Sequence, residues 1–184
     1  MTRPPSRLPI AVLALAAGGL GFLLAHWQRQ DAGLNLPIAA STLSAQQVIG
    51  RPAPELAWID LEHQPFALSD FRGSAVLLNF WASWCTPCIE EMPVLDAFAR
   101  DPGNRTRVVG IALDQLQPVL DFLQTHPVSY RIAIGSRRFP DESNLLGNEH
   151  SLLPYSVLIG ADGVVLKTRL GGFDAAELDA WVKP

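Results

Sequence analysis

Cysteine is scarce in this chain: two in 184 residues, three apart, in "NFWASWCTPCIEEMP" at positions 79–93. Two are too few for a tetrahedral zinc site, which takes four protein ligands or three plus water. The histidines do not make up the shortfall, because His26, His63, His126 and His150 show no ligand-like spacing to one another or to the pair. What is left of a metal reading is a soft-ligand copper clip. Charge is scarce too, at 17% of residues, and there is no basic excess. Beyond Arg3 and Arg7 the chain carries 12 basic against 18 acidic residues. A mildly acidic chain without a basic stripe is a poor partner for a phosphate backbone, so nucleic acid is excluded. Internal repeats and low-complexity blocks are absent. With 48% apolar residues, the low charge argues against wholesale disorder, and the length suffices for one domain with a real core plus extra segments.

The N-terminus lacks a polar face. Arg3 and Arg7 precede an uncharged stretch from Leu8 to Ala25, and Trp27, Gln28 and Arg29 follow it. In a helix such a stretch spans about 27 Å, close to the hydrocarbon thickness of a bilayer, with Trp27 at headgroup level. A cleaved signal peptide is the alternative, but "LNLPIAAS" fits a small-x-small cleavage site poorly. Either way positive charge before the span keeps the N-terminus in the cytoplasm and sends the rest outside. The expected organisation is an anchor or signal over 1–27, a linker over 28–47 and a folded domain over 48–184.

Within that domain, "IGRPAPELAWIDLEHQPFALSDFRG" alternates short apolar runs with turn residues and predicts a hairpin. Buried strands are predicted at 74–82, 106–114 and 130–135, and helices over the stripe that starts near residue 86 and over 116–126. A short helix at 141–148, a hairpin over 154–172 around Ala161-Asp162-Gly163, and a last amphipathic helix capped by Asp174 complete the chain. Alternating strands and helices followed by a hairpin and helix predict an α/β fold, a mixed sheet covered on both faces.

An exported pair of cysteines allows a staple, a clip or a switch. A staple acts mainly by removing entropy from the unfolded chain, and a loop across two intervening residues removes almost none. A switch is favoured by position. Cys85 falls where a strand ends and a helix begins, so it meets unpaired N–H groups and the positive end of a helix dipole, both of which favour the nucleophilic thiolate. Cys88 is one turn further in and within reach of a mixed disulfide on Cys85. Pro87 suits a first helical turn, and Trp84 offers either a flat contact for a substrate chain or a rim aromatic.

The stretch "VLLNFWASWCTPCIEEMP", with "GRPAPEL" before it and "LLPYSVLIGADGVV" after it, resembles the thioredoxin superfamily, specifically its TlpA/ResA/DsbE-like membrane-anchored thiol–disulfide oxidoreductases of bacteria. The resemblance covers about residues 48–184. It implies a thioredoxin-like fold with an N-terminal β-hairpin and a central βα insertion at 106–135. It also implies a dithiol/disulfide centre at Cys85 and Cys88, a cis Pro154 preceded by Leu153 facing Cys85, and a kink at Pro93. Glu91 matches a glutamate that the ResA-like branch places near the cysteines as a proton partner. Asn79 departs from the buried aspartate of cytoplasmic thioredoxins, which shifts proton handling toward Glu91; Leu153 and "IGADG" are further departures.

The activity implied is reduction of disulfides in exported proteins, apocytochrome c being the family's best-known target. A membrane thiol electron donor would regenerate the dithiol, and residues 8–25 would hold the chain to the bacterial inner membrane with the catalytic domain outside. No cofactor or metal is called for. The alternatives are an extracytoplasmic oxidase or isomerase, and a copper-binding chaperone on the same fold.

Overall fold

A computed structural model describes residues 43–183. The span expected over residues 8–25 lies outside them; among the described residues no helix is long and apolar enough to cross a membrane.

The longest apolar run makes the centre. Strand β3 (Val76–Trp81) is buried at all six positions, as a middle strand covered on both faces must be. It pairs in parallel with β4 (Arg107–Ala112), which pairs in parallel with β5 (Arg131–Ile134). On the other side it pairs antiparallel with β6 (Tyr155–Ile159), and β6 with β7 (Val165–Leu170). The five-stranded sheet therefore runs β5-β4-β3-β6-β7. A separate hairpin, β1 (Ala57–Ile59) and β2 (Pro65–Ala67), sets Trp58 directly opposite Phe66 with ring centroids 5.6 Å apart.

Side chains alternate along a strand, so β3 feeds two cores. Val76, Leu78 and Phe80 join Trp58, Phe66 and Leu68 under the hairpin. Leu77 and Trp81 join the opposite core, which contains residues of α2 (Thr86–Arg100), α3 (Leu116–Thr125) and α5 (Ala175–Trp181). The short helices α1 (Ala45–Val48) and α4 (Glu142–Leu145) sit on the hairpin's side, through Val48 and through Leu146, the C-cap of α4. Both faces of the mixed sheet are covered, in the predicted order of elements.

Two details differ from the sequence reading. Residues 45–48 are helical although they fall at the end of the stretch read as a linker, and Gly147 explains their seat. Its φ is +97°, and a Cβ there would come within 2.9 Å of the Ala45 Cα. Strand ends are also trimmed by one or two residues where the chain turns. Asp174 does cap α5, accepting from the Glu177 N–H at 2.8 Å.

Candidate active site

The parallel strands β3, β4 and β5 all end at one edge of the sheet, and the chain leaves β3 there to form the cysteine loop. Cys85 is the N-cap of α2, with extended φ and ψ, and Pro87 lies in the first turn, where no backbone donor is lost. Cys85 and Cys88 are joined in a disulfide with their Cα atoms 5.3 Å apart. Exposure distinguishes them: Cys85 retains 5% and Cys88 none. The partner that meets solvent is therefore the one at the helix terminus.

Trp84 is 70% exposed beside the disulfide, a free flat surface rather than a packed rim residue. Leu153 and Pro154 lie at the entry to β6. The Leu153–Pro154 peptide is cis, and Pro154 immediately precedes Tyr155, which pairs with Phe80 near the end of β3. Leu153 packs against the core that contains both cysteines. Pro93 lies within α2 and is exposed.

Glu91 is not the solvated helix residue that its position in the second turn allows. It is 2% exposed, one turn beyond Cys88 on the same face of α2. Its Oε1 accepts from the Asn79 side-chain amide at 2.7 Å and its Oε2 from the Phe173 N–H at 3.2 Å. Burial lifts its pKa from the ordinary 4.5 to about 7, against the opposing pull of Asn79, the Phe173 N–H and the Arg169 charge. Asn79 also donates to Ser156 Oγ at 3.1 Å, while its Oδ1 is buried with no donor among the described residues.

Sheet register explains this gathering. Ile132, Gly110, Asn79, Ser156 and Arg169 stand side by side on five adjacent strands, in one row across the sheet. Gly110 is small of necessity: a Cβ there would lie 2.5 Å from Ile132 Cδ1 and 3.1 Å from both Trp81 Nε1 and Tyr130 Cε2. At the far end Arg169 donates to the Gly172 carbonyl at 2.8 Å and to Glu177 at 2.8 Å, and its guanidinium lies 4.5 Å from the Phe173 ring centroid. Gly172 packs against Glu91, with room for a Cβ at 3.5 Å.

Sequence reasoning missed Asp114, the residue that holds the cysteine loop. Asp114 follows β4 and is 7% exposed. Its Oδ2 accepts from Ser83 N at 3.1 Å and Ser83 Oγ at 2.6 Å, and its Oδ1 from Gln115 N at 2.7 Å. An acid just past a buried strand, level with the cysteine loop, was the available signal. Among the described residues no group of His, Cys, Asp and Glu is arranged to hold a metal ion.

A family model described as Redoxin matches residues 49–181. The chain belongs to the Redoxin family. Within the thioredoxin superfamily this Redoxin protein is a ResA-like thiol–disulfide oxidoreductase. It is 25% identical over 178 residues to the thiol-disulfide oxidoreductase ResA of Bacillus anthracis, across 95% of this chain and 92% of that one. ResA of Geobacillus thermodenitrificans is 46% identical over 128 residues, 67% of this chain and 70% of the relative. Among solved structures, a thiol:disulfide interchange protein of the thioredoxin family from Chlorobium tepidum superposes with a TM-score of 0.61. The identity there is 26%, and the match covers 71% of this chain and 92% of the other. The matched Redoxin region contains the disulfide, Glu91, Asn79 and the Leu153–Pro154 peptide described above.

Proposed function

We propose that this oxidoreductase is a reductant of disulfides in exported polypeptides, with Cys85 as nucleophile, Cys88 as resolving thiol and Glu91 as its proton partner. The observation that carries the direction is the buried carboxyl of Glu91, one turn from Cys88. A carboxylate beside a thiol disfavours the thiolate, and a less stabilised dithiol is the better reductant.

In the reduced protein, the Cys85 thiolate attacks one sulfur of a substrate disulfide and the other sulfur leaves as a thiolate. Cys88 then gives its proton to the Glu91 carboxylate and attacks the Cys85 sulfur of the mixed disulfide. The substrate's second sulfur departs, so two electrons pass to the substrate and the Cys85–Cys88 bond is remade. An extended substrate segment would lie along Leu153 and Pro154, whose neighbouring backbone can pair with it, and Trp84 would cover the scissile bond. Residues 8–25 would hold the domain on the extracytoplasmic side of the inner membrane, where a membrane thiol donor restores the dithiol. The haem-binding cysteines of apocytochrome c are the substrate to try first, as the resemblance implies.

The test is the midpoint potential of the full chain in detergent. A value near or below about −270 mV, the thioredoxin level, is expected; one near about −120 mV would make it an oxidant and overturn the reading. In parallel, Cys88→Ser should accumulate mixed disulfides through Cys85, and Cys85→Ser should accumulate none.

A further inference from the structure

The segment before Pro154 is held by side chains of an interior polar cluster that the chemistry above does not use. Asn148 is 4% exposed and its carboxamide grips the backbone of Leu152 on both sides. Its Oδ1 accepts from the Leu152 N–H at 3.0 Å and its Nδ2 donates to the Leu152 carbonyl at 2.9 Å. The same Nδ2 also donates to Ser143 Oγ at 2.9 Å. This is the pairing a neighbouring strand would make, supplied by one side chain. Beyond Pro154, Tyr155 is fixed by its pairing with Phe80 and by its hydroxyl, which donates to the Leu146 carbonyl at 3.0 Å. Ser151 is fixed as well, its hydroxyl donating to Asp141 at 2.8 Å.

Between these ties the chain has one loose stretch. The N–H and C=O of Leu153 have no hydrogen-bond partner among the described residues, although Leu153 packs against the core that holds the cysteines. Backbone groups left unpaired beside a reactive disulfide are ready to receive an added strand. They serve only if the segment is held in place, and Leu152 is where it is held.

We infer that Asn148 is the positioning residue for substrate docking: by occupying both peptide groups of Leu152 it presents those of Leu153 to an extended polypeptide disulfide. This rests on the docking mode proposed above. It separates two kinds of substrate, since a small disulfide needs Cys85 and not the strand contact.

The experiment uses the fully reduced full-length protein in detergent, mixed in single turnover with insulin or with hydroxyethyl disulfide. For Asn148→Ala the ratio of second-order rate constants, insulin over hydroxyethyl disulfide, should fall about tenfold, with the midpoint potential unmoved. An equal loss on both substrates, a shifted potential or an unchanged ratio overturns the inference. Wild-type protein inactive on both would overturn the reductant reading and this inference together. Should Asn148→Ala fail to fold, amide exchange in Cys88→Ser decides. The Leu152 amide should be protected, and the Leu153 amide should exchange freely until a cysteine peptide is attached at Cys85 and then become protected. A Leu153 amide that the peptide leaves unprotected overturns it.

Discussion

Asn79 on the central strand donates its side-chain amide to Glu91 on the helix above, 2.7 Å away, with both residues sealed from water. Acid and donor belong to different elements, so the helix that carries the cysteines is tied to the sheet at the acid proposed to serve them. Disturbing either partner should be visible in titration as well as in stability.

Glu91→Gln tests the proton role. The folded chain holds the Glu91 proton up to about pH 7, against 4.5 for the free group, so between those values it binds more protons than the unfolded chain. Stability should therefore fall as pH rises from about 4.5 to about 7, by at most about 3 kcal/mol. Glutamine should remove that part of the slope in denaturant titrations of the oxidised protein. It should also slow resolution of a mixed disulfide by about a hundredfold and flatten its pH dependence near 7.

Asn79→Leu removes the amide donor and leaves Glu91 Oε1 facing hydrocarbon. The Glu91 pKa should rise further, and the protein should lose about 1–3 kcal/mol. Carbon-13 titration of the Glu91 carboxyl reads the first effect and thermal unfolding the second. An unchanged titration would mean that the 2.7 Å contact does not bias the carboxyl.

Asp114→Ala unties Ser83 from the end of β4. Two hydrogen bonds to a carboxylate are lost at the entry to the cysteine loop, at about 1.5–3 kcal/mol each. Calorimetry should show the destabilisation. Fluorescence quenching of Trp84, already 70% exposed, should change with the loop, and Asp114→Asn should recover part of both.

Gly110→Ala puts a methyl group into the row that contains Asn79. The methyl would meet Ile132, Trp81 and Tyr130 together, and only Ile132 ends in a freely turning group. A cost of about 1–3 kcal/mol is expected in chemical denaturation.

The order of elements was legible because the apolar runs are long and bounded by turn residues, as at 76–81 and 107–112. The position of Cys85 could be read from the strand before it and Pro87 after it. Glu91 was singled out by resemblance, but its burial was not legible. Whether a second-turn glutamate is wet depends on Phe173, 82 residues away, on its neighbour Gly172, and on register across strands that sequence periodicity leaves open. Asn79 was noticed for what it replaces, while its partner Ser156, and Arg169 opposite Ser156, looked like ordinary strand residues. Asp114 could be read only as an acid past a buried strand, since its partner Ser83 lies on another strand's loop, and nothing in the sequence around Asn148 announces that its carboxamide folds back onto Leu152.

The row through Gly110, Asn79, Ser156 and Arg169 also polices strand alignment. Sliding β3 by one residue would bring Leu78 or Phe80 beneath Glu91 and strand a buried acid without its donor. A misaligned sheet would thus announce itself at the reactive helix, and a chain with a settled proton site is, by the same contact, a chain whose central strand is in register.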